Sequence, residues 1–546
     1  MTPDRESGRS VPSSAGLRLD ELSRDLPMRA EIVGDASVRI SGVRHDSRAV
    51  ERGDLFVARR GAKVDGARFV LDAVARGAAA VMASPGALDG HVLGVPVLLV
   101  DDPAAALGFV ASAVYGHPSF ALEVVGITGT NGKTTTAHLT RAAIDGALGA
   151  RVCGVLGTVG HSFGNWRSDA AHTTPEADEV ARAMATMRQL GATHVAMEVS
   201  SHALDLGRVG GVHVRVAALT NLTQDHLDFH GSMQAYGESK ARLFTELGPG
   251  SAVVNVDDAF GAQLVSRVKA PLVRVSARVG ADADIAPREA RLGASGTAAT
   301  VRTPAGDVHL ASRLVGAHNL ENLLLSLGIA HALDLDLGRA ADALSREPGA
   351  PGRFERCDAD GDDITVLVDY AHTPDALARA LDAVRAVSRE APPMDPPPHP
   401  HPSESRARIW CVFGCGGDRD PTKRGPMGEA VARRADVAVV TSDNPRTEDP
   451  HVIADAVIAG VRRAGIEPIV ELDRRTAIDL AVRSASRGDA VLIAGKGHED
   501  YQLVGVLALP FDDRIEARRA LAERRRASSA AGAAGAADAA DATKGE

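Results

Sequence analysis

The sequence predicts an α/β protein of three domains, and three observations carry that reading. Its 546 residues exceed what one hydrophobic core usually supports, so roughly three domains are expected. Short apolar runs alternate with helix-length segments along most of the chain, which is the pattern of largely parallel sheets covered by helices. Pro/Gly-rich stretches at Gly116-His-Pro118 and at Glu347-Pro-Gly-Ala-Pro-Gly-Arg353 punctuate the alternation.

Taken in order, residues 1–16 are polar and are expected to be disordered, and 17–120 form a small N-terminal α/β domain. That domain mixes apolar runs such as Val95-Pro-Val-Leu-Leu-Val100 with helical patterns such as Phe69 to Gly77. The central domain, 121–348, has its runs at Leu122 to Ile127, Arg151 to Leu156, His194 to Val199, Val214 to Leu219 and Ala252 to Val256. After Leu122-Glu-Val-Val125 of the first comes Gly126-Ile-Thr-Gly129-Thr130-Asn131-Gly132-Lys133-Thr134-Thr135, opening a helix-compatible segment, so this domain is P-loop ATPase-like. The C-terminal domain, 349–527, repeats the strand and helix pattern and is Rossmann-like. Within it Ala391 to Pro402 is a Pro/His-rich loop insertion, whose His399 and His401 fit a solvated tract better than a metal site. Residues 528–546, an Ala/Gly/Asp tail, are expected to be disordered.

Composition narrows the function classes. Hydrophobic content of 45% with 24% charge is ordinary for a soluble protein, and aromatics at 3% leave the cores to Ala, Val and Leu. A net charge of -10 argues against nucleic acid as a partner, because phosphate backbones demand a basic face. The amino terminus has no apolar h-region, and no stretch approaches the roughly 18 apolar residues of a membrane span, so a cytoplasmic protein without membrane partner is expected. Its oligomeric state is taken as monomer. Cys153, Cys357, Cys411 and Cys415 are too scattered for a disulfide framework and read as reduced, buried thiols.

The loop carries the first chemistry. Glycines without Cβ atoms let backbone N–H groups curl around phosphate oxygens, the helix adds its positive end, Lys133 neutralises charge and Thr134 can hold Mg2+. ATP is the expected ligand. A strict version of the motif would have glycine where Ile127 stands, so the match is to a variant. Open parallel sheets bind ligands beyond the carboxyl ends of their strands, so the residues just past each strand are the candidates for chemistry. Glu198, at the tip of the strand ending in Met197, suits Mg2+ coordination. His226, in Thr220-Asn-Leu-Thr-Gln-Asp225-His226-Leu-Asp228, is a second candidate ligand, although a loop histidine is more often structural. In the C-terminal domain four strand tips deliver Asp369-Tyr-Ala-His372, Gly414-Cys-Gly-Gly-Asp418-Arg419, Ser442-Asp443-Asn444-Pro445-Arg446 and Gly495-Lys-Gly-His-Glu499 to one edge. Any one alone could be turn chemistry; together they point to a site.

Several long segments occur in the order seen in the Mur ligases, which the chain resembles over about residues 17 to 525. They are Gly129 to Thr136, Glu198-Val-Ser-Ser-His-Ala-Leu204, Asn221 to Gly231, Tyr236 to Phe244, His318-Asn319-Leu-Glu-Asn322 and Asp369 to Pro374. The resemblance implies ATP-dependent amide formation in peptidoglycan synthesis. ATP phosphorylates a carboxylate, and an amine then attacks the acyl phosphate. It further implies that Lys133, Thr134 and Glu198 serve the phosphates and a first Mg2+, His226 a second, and that Lys240 is carbamylated, since an anion beside Mg2+ is attractive where an ammonium is not. Asn319 and Asp369 match adenosine-contacting positions, and Arg353 a phosphate-neutralising one. Ser47 and Arg48, with Asp46, resemble the uridine-diphosphate segment, while Thr173, Thr174, Pro175, Ser200 and Arg208 match positions holding the UDP-N-acetylmuramoyl dipeptide.

Within the family the resemblance is to the branch that adds meso-2,6-diaminopimelate. It rests on Asp443-Asn444-Pro445-Arg446, with Arg419, Gly495 and Glu499 at other amino-acid-contacting positions. The physics agrees, because diaminopimelate carries a second carboxylate that a guanidinium can bind with two parallel hydrogen bonds, and lysine offers nothing there. Leaving such an arginine unpaired costs roughly 2 to 5 kcal/mol, or about a 30-fold to several-thousand-fold preference. Rivals are a lysine-adding relative, a folylpolyglutamate synthetase, the dipeptide-adding Mur ligase, or a P-loop nucleotide switch that ligates nothing; the arginine disfavours the first, the whole Asp443 to Arg446 motif with the first-domain segment disfavours the next two, and the switch needs no amino-acid pocket.

Overall fold

The computed structural model describes residues 16–61, 64–88, 93–293, 296–359, 361–389 and 407–542. The expected disorder of the first residues and the Pro/His-rich insertion lie outside them, Gly16 excepted. The chain gathers into two compact units. One comprises residues up to Glu289 with Thr300–His309 and Glu321–Leu344; the other comprises Ala290–Ala299, Leu310–Leu320 and the residues from Ser345 on. The two N-terminal domains expected from sequence thus share one unit, and Asn319 groups with the C-terminal residues.

In the first unit a five-stranded sheet runs in the order Ala30–Val33, Val97–Val100, Ala80–Ala83, Asp54–Val57, Gly42–Arg44. All its pairs are parallel except the first. Helix Pro103–Val114 covers it, started by Asp102, whose carboxylate accepts from the backbone N–H groups of Ala104 and Ala105, with proline in the first turn where no donor is needed.

The same unit holds an eight-stranded sheet, in the order Trp166–Ser168, Gly160–Phe163, Cys153–Gly157, His194–Glu198, Glu123–Thr128, Val216–Leu219, Ser251–Asn255, Leu272–Val275. Its first three strands pair antiparallel and the rest parallel. Each of the five expected apolar runs forms a strand. Val124, Val125 and Ile127 are buried, as strands covered on both faces require. Glu123–Thr128 lies between His194–Glu198 and Val216–Leu219, so the phosphate-type loop opens where the chain leaves one side of its strand for the other.

The second unit is built on a six-stranded sheet, in the order Glu355–Arg356, Thr365–Asp369, Ala490–Ala494, Ile409–Phe413, Val437–Val440, Ile469–Val470, antiparallel only at the first pair. With few aromatics available, helices pack through small residues. A Cβ on Gly460, in helix Pro450–Arg463, would fall on the carbonyl oxygen of Gly425 in helix Arg424–Ala432. All four cysteines are free and buried. No helix among the described residues is long and apolar enough to cross a membrane.

The last helix, Asp513–Ala542, runs into the Ala-rich stretch, and residues 543–546 lie outside the described residues. Alanine is the best helix former, so a helix begun by packed residues such as Ala517, Ala520 and Leu521 propagates through it on intrinsic preference.

Candidate active site

At the carboxyl end of Glu123–Thr128 the loop turns on two glycines with left-handed backbone. Gly129 has φ 146°, and any Cβ there would collide with the Thr220 hydroxyl; Gly132, at φ 84°, leads into helix Lys133–Leu148. Lys133 folds back to donate from Nζ to the carbonyl oxygens of Gly129 and Thr130, both at 2.9 Å. Thr134 Oγ1 donates to Glu198 Oε2 at 2.8 Å, joining the helix start to the neighbouring strand tip in a buried contact. Thr158 holds the other carboxylate oxygen, its N–H donating to Glu198 Oε1 at 2.7 Å. Glu198 is only 1% exposed, so these donors stand in for the water its carboxylate oxygens have lost.

Lys240 reaches the same loop from helix Met233–Thr245. Its Nζ donates to Gly129 O at 2.8 Å and stands 4.5 Å from the centroid of the Tyr236 ring. Burial, reinforced by the charge of Lys133, drives its pKa well below the ordinary lysine value, with Asp225 opposing. The result favours a neutral amine. Beyond Tyr236 lie three imidazoles. His226 sits at φ 51° with Nε2 3.5 Å from Asp225 Oδ2, and its ring is 4.9 Å from that of His202, which is 5.5 Å from His230. Burial is the main cause holding His202 and His230 below the ordinary histidine value, and neighbouring imidazoles add to it.

Among the described residues no group of three or more His, Cys, Asp or Glu is gathered to hold a metal. The Thr134 hydroxyl and Glu198 carboxylate are hard oxygen donors, and Mg2+ characteristically takes one or two protein carboxylates and completes its shell with water and phosphate. The pair fits that ion.

A second cluster joins the five-stranded sheet to the segment before helix Ala177–Gln189. Thr174 is fully buried; its Oγ1 donates to Glu198 O at 2.8 Å and accepts from Ser200 N at 2.9 Å. Arg208 donates to Thr174 O at 3.1 Å and pairs with Glu176 at 2.8 Å, and Arg59 approaches the same carboxylate at 2.7 Å. His45 Nδ1 lies 2.8 Å from Asp178, next to the short turn of buried Ser47 and exposed Arg48, which pairs with Asp46. Burial opposes the charged His45, but the hydrogen bond and charge of Asp178 leave its pKa raised. Thr173 lies 3.2 Å from Thr158 through their hydroxyls.

In the second unit the four strand tips converge as expected. Asp443 and Asn444 are buried, and the turn after them is locked to its neighbours. Gly417 N donates to Asn444 O at 2.9 Å, Thr447 N donates to Asp418 Oδ2 at 3.0 Å, and Arg424 pairs with Glu448 at 2.8 Å. Arg446 occupies left-handed backbone at φ 53°, its N–H donating to Leu503 O at 3.0 Å and its NH1 to Gly417 O at 2.8 Å. Asn444 Nδ2 donates to Glu499 Oε2 at 2.8 Å. Pro445 is buried and Arg419 is exposed. Elsewhere on this sheet edge Asp369 accepts from Phe354 N at 2.8 Å and Ala371 N at 2.9 Å, and the Arg353 guanidinium lies 4.6 Å from the Tyr370 ring. Asn319 Nδ2 donates to Val315 O at 2.9 Å.

Comparison with known proteins decides the family. Residues 39–115 match the "Mur ligase family, catalytic domain", 127–330 the "Mur ligase middle domain", and 397–497 the "Mur ligase, glutamate ligase domain". A protein of Gloeobacter violaceus named UDP-N-acetylmuramoyl-L-alanyl-D-glutamate--2,6-diaminopimelate ligase is 45% identical, over 93% of this chain and 99% of its own. The chain belongs to the Mur ligase family. A Streptomyces coelicolor protein of the same name is 43% identical over 92% of this chain and 96% of its own. A solved structure of a protein with that name shares 32% identity and a TM-score of 0.64, covering 93% of this chain and 99% of the other. The three-domain mixed α/β fold with parallel sheets is that of the Mur ligases, which join acids to amino acids.

Some members of the sites escape the sequence. Thr158 follows strand Cys153–Gly157, and the rule that ligand groups stand just past parallel strands would have found it there. Buried Lys496 lies within the Gly495 to Glu499 tip, where its residue type alone assigned it no role. Arg474, fully buried and paired with Asp513, comes from a helix start, where no sequence rule marks it.

Proposed function

We propose that this Mur ligase adds meso-2,6-diaminopimelate to UDP-N-acetylmuramoyl-L-alanyl-D-glutamate in the cytoplasm, with ATP as the source of energy. The observation that carries this reading is the locked Asp443-Asn444-Pro445-Arg446 turn, which brings a guanidinium and, through Asn444, the Glu499 carboxylate into one loop cluster. Opposite charges so placed suit an amino acid whose far end is itself a zwitterion. The names of the relatives support it.

In this reading the backbone of Gly129 to Thr135 and Lys133 hold the ATP phosphates, Arg353 helps to neutralise them, and Asn319 and Asp369 serve the adenosine. Thr134 and Glu198 would hold Mg2+, with His226 and Lys240 at a second ion; the metal supplies neutralisation of phosphate charge. Ser47, Arg48, Thr173, Thr174, Ser200 and Arg208 orient the UDP substrate so that its acceptor carboxylate meets the terminal phosphate. A carboxylate oxygen attacks that phosphorus and ADP leaves. The diaminopimelate nitrogen then attacks the acyl carbon, phosphate departs with the bonding pair, and the nitrogen sheds a proton. The burial of Lys240 supports its carbamylation, because the neutral amine attacks the carbon of CO2 and loses a proton to give an anion.

The test is phosphate release by the purified chain with ATP, Mg2+ and the muramoyl dipeptide nucleotide, across diaminopimelate isomers, lysine and glutamate, with product masses recorded. Stoichiometric use of the meso isomer is expected. ATP hydrolysis without a new amide from any amine sinks the proposal, and a preference for lysine sinks its specificity.

A further inference from the structure

Beneath the Arg446 turn lies a lysine with no part in the chemistry of ligation. Lys496 follows strand Ala490–Ala494, and its side chain is fully buried. Its Nζ donates to Asn444 Oδ1 at 2.9 Å and to Glu499 Oε2 at 3.2 Å, and stands 3.6 Å from Asp443 Oδ1. The Tyr501 ring is 5.6 Å away.

We infer that Lys496 is a positioning residue of the amino-acid pocket, holding Asn444 and the Glu499 carboxylate in the single arrangement that receives the substrate. The inference rests on the reading of that cluster as the amino-acid site. An amide side chain can flip, exchanging donor for acceptor. Here Oδ1 of Asn444 accepts from both Lys496 Nζ and Leu503 N, the latter at 2.9 Å, so Nδ2 is obliged to point at Glu499. Nδ2 and Nζ then converge on Oε2 of Glu499, leaving Oε1 as the oxygen with capacity for a ligand ammonium. Two carboxylates, Asp443 and Glu499, lie against this cation, so Lys496 also ties the strand tip that carries Asp443 to the one that carries Glu499.

The experiment compares Lys496→Met and Lys496→Gln with the parent enzyme, measuring KM separately for diaminopimelate, ATP and the nucleotide acceptor, together with the melting temperature. The expected result is a rise of at least about tenfold in the diaminopimelate KM, with the other two KM values changed less than about twofold. Lys496→Gln, which can still donate to Asn444, should lose less than Lys496→Met. An unchanged diaminopimelate KM, an equal loss for all three substrates, or failure of both variants to fold overturns the inference and makes Lys496 a support of the fold. If the parent enzyme itself shows no diaminopimelate-dependent phosphate release, the reading of the site has failed instead.

Discussion

The two sheet edges that carry chemistry handle buried charge in opposite ways. Around the Gly129 loop, Lys133 and Lys240 point at backbone carbonyl oxygens, and Glu198 is held by a hydroxyl and an N–H. At the C-terminal edge the charges come paired. Arg474 makes two 2.7 Å contacts to Asp513 and also donates to Ala494 O at 2.9 Å and Ser442 O at 3.3 Å, stapling the ends of the two strands that lead to Gly495 and Asp443. Lys496 likewise meets carboxylates, those of Asp443 and Glu499. These contacts at the first edge run to neutral groups of the backbone and side chains; those at the second join opposite charges directly. Removing a group that faces the Gly129 loop should therefore cost function, whereas removing one partner of the fully buried Arg474–Asp513 pair should cost stability.

The largest expected effect is at the second edge. Asp513→Asn leaves a fully buried guanidinium without its counter-charge, and breaking such a pair costs about 3 to 5 kcal/mol. Urea unfolding should show this loss; a variant as stable as the parent would mean that the pair carries no weight and the contrast fails. Replacing both partners, as in Arg474→Met with Asp513→Leu, should recover much of it.

At the first edge, Lys240→Met should lower the rate of ligation roughly 100- to 1,000-fold, the usual cost of deleting one preorganised charged group. Bicarbonate should not restore it. Because burial already disfavours the charged amine, the melting temperature should hold or rise at neutral pH. Loss of stability with full activity would reverse the comparison.

A smaller effect belongs to the Arg446 turn, whose backbone is fixed by Leu503 and whose guanidinium meets Gly417 O. Arg446→Leu should cut the preference for diaminopimelate over lysine about 30-fold, read from the ratio of kcat/KM values, with stability nearly unchanged.

The contrast also explains what the sequence disclosed. Strand tips are legible because a parallel sheet forces ligand chemistry to one edge: Gly129, Glu198, Asp369, Asp443 and Gly495 all stand at or just beyond the ends of the strands foreseen. The compensating partners are not. Asp513 lies 39 residues from Arg474, and nothing local to either residue marks the other. Thr158 has a polar identity so common that only its hydrogen bond to Glu198 distinguishes it. Low complexity alone says little about the backbone of the tail, because a run of alanines needs only an existing helix to extend.

The smallest effect concerns acid, where each unit has a histidine, buried His161 and half-buried His498, held near pKa 4. Burial lowers His161 and His498 to about 4 from 6.5. In this window the unfolded chain binds protons that the folded chain refuses, so stability falls as pH drops from about 6.5 towards 4 and falls no further below it. For His161, which is 6% exposed and whose Nδ1 has no hydrogen-bond partner among the described residues, the loss should reach on the order of 1 to 2 kcal/mol by about pH 5. His161→Gln, which cannot take up a proton, should flatten the acid limb of the stability curve by that amount while leaving stability at pH 8 within the cost of the substitution. His498, beside Tyr370 at the C-terminal edge, offers the matched control. If His161→Gln leaves the acid limb as steep as the parent's and His498→Gln flattens it, the acid-sensitive element is the C-terminal edge alone, and charge there is less fully compensated than its ion pairs imply.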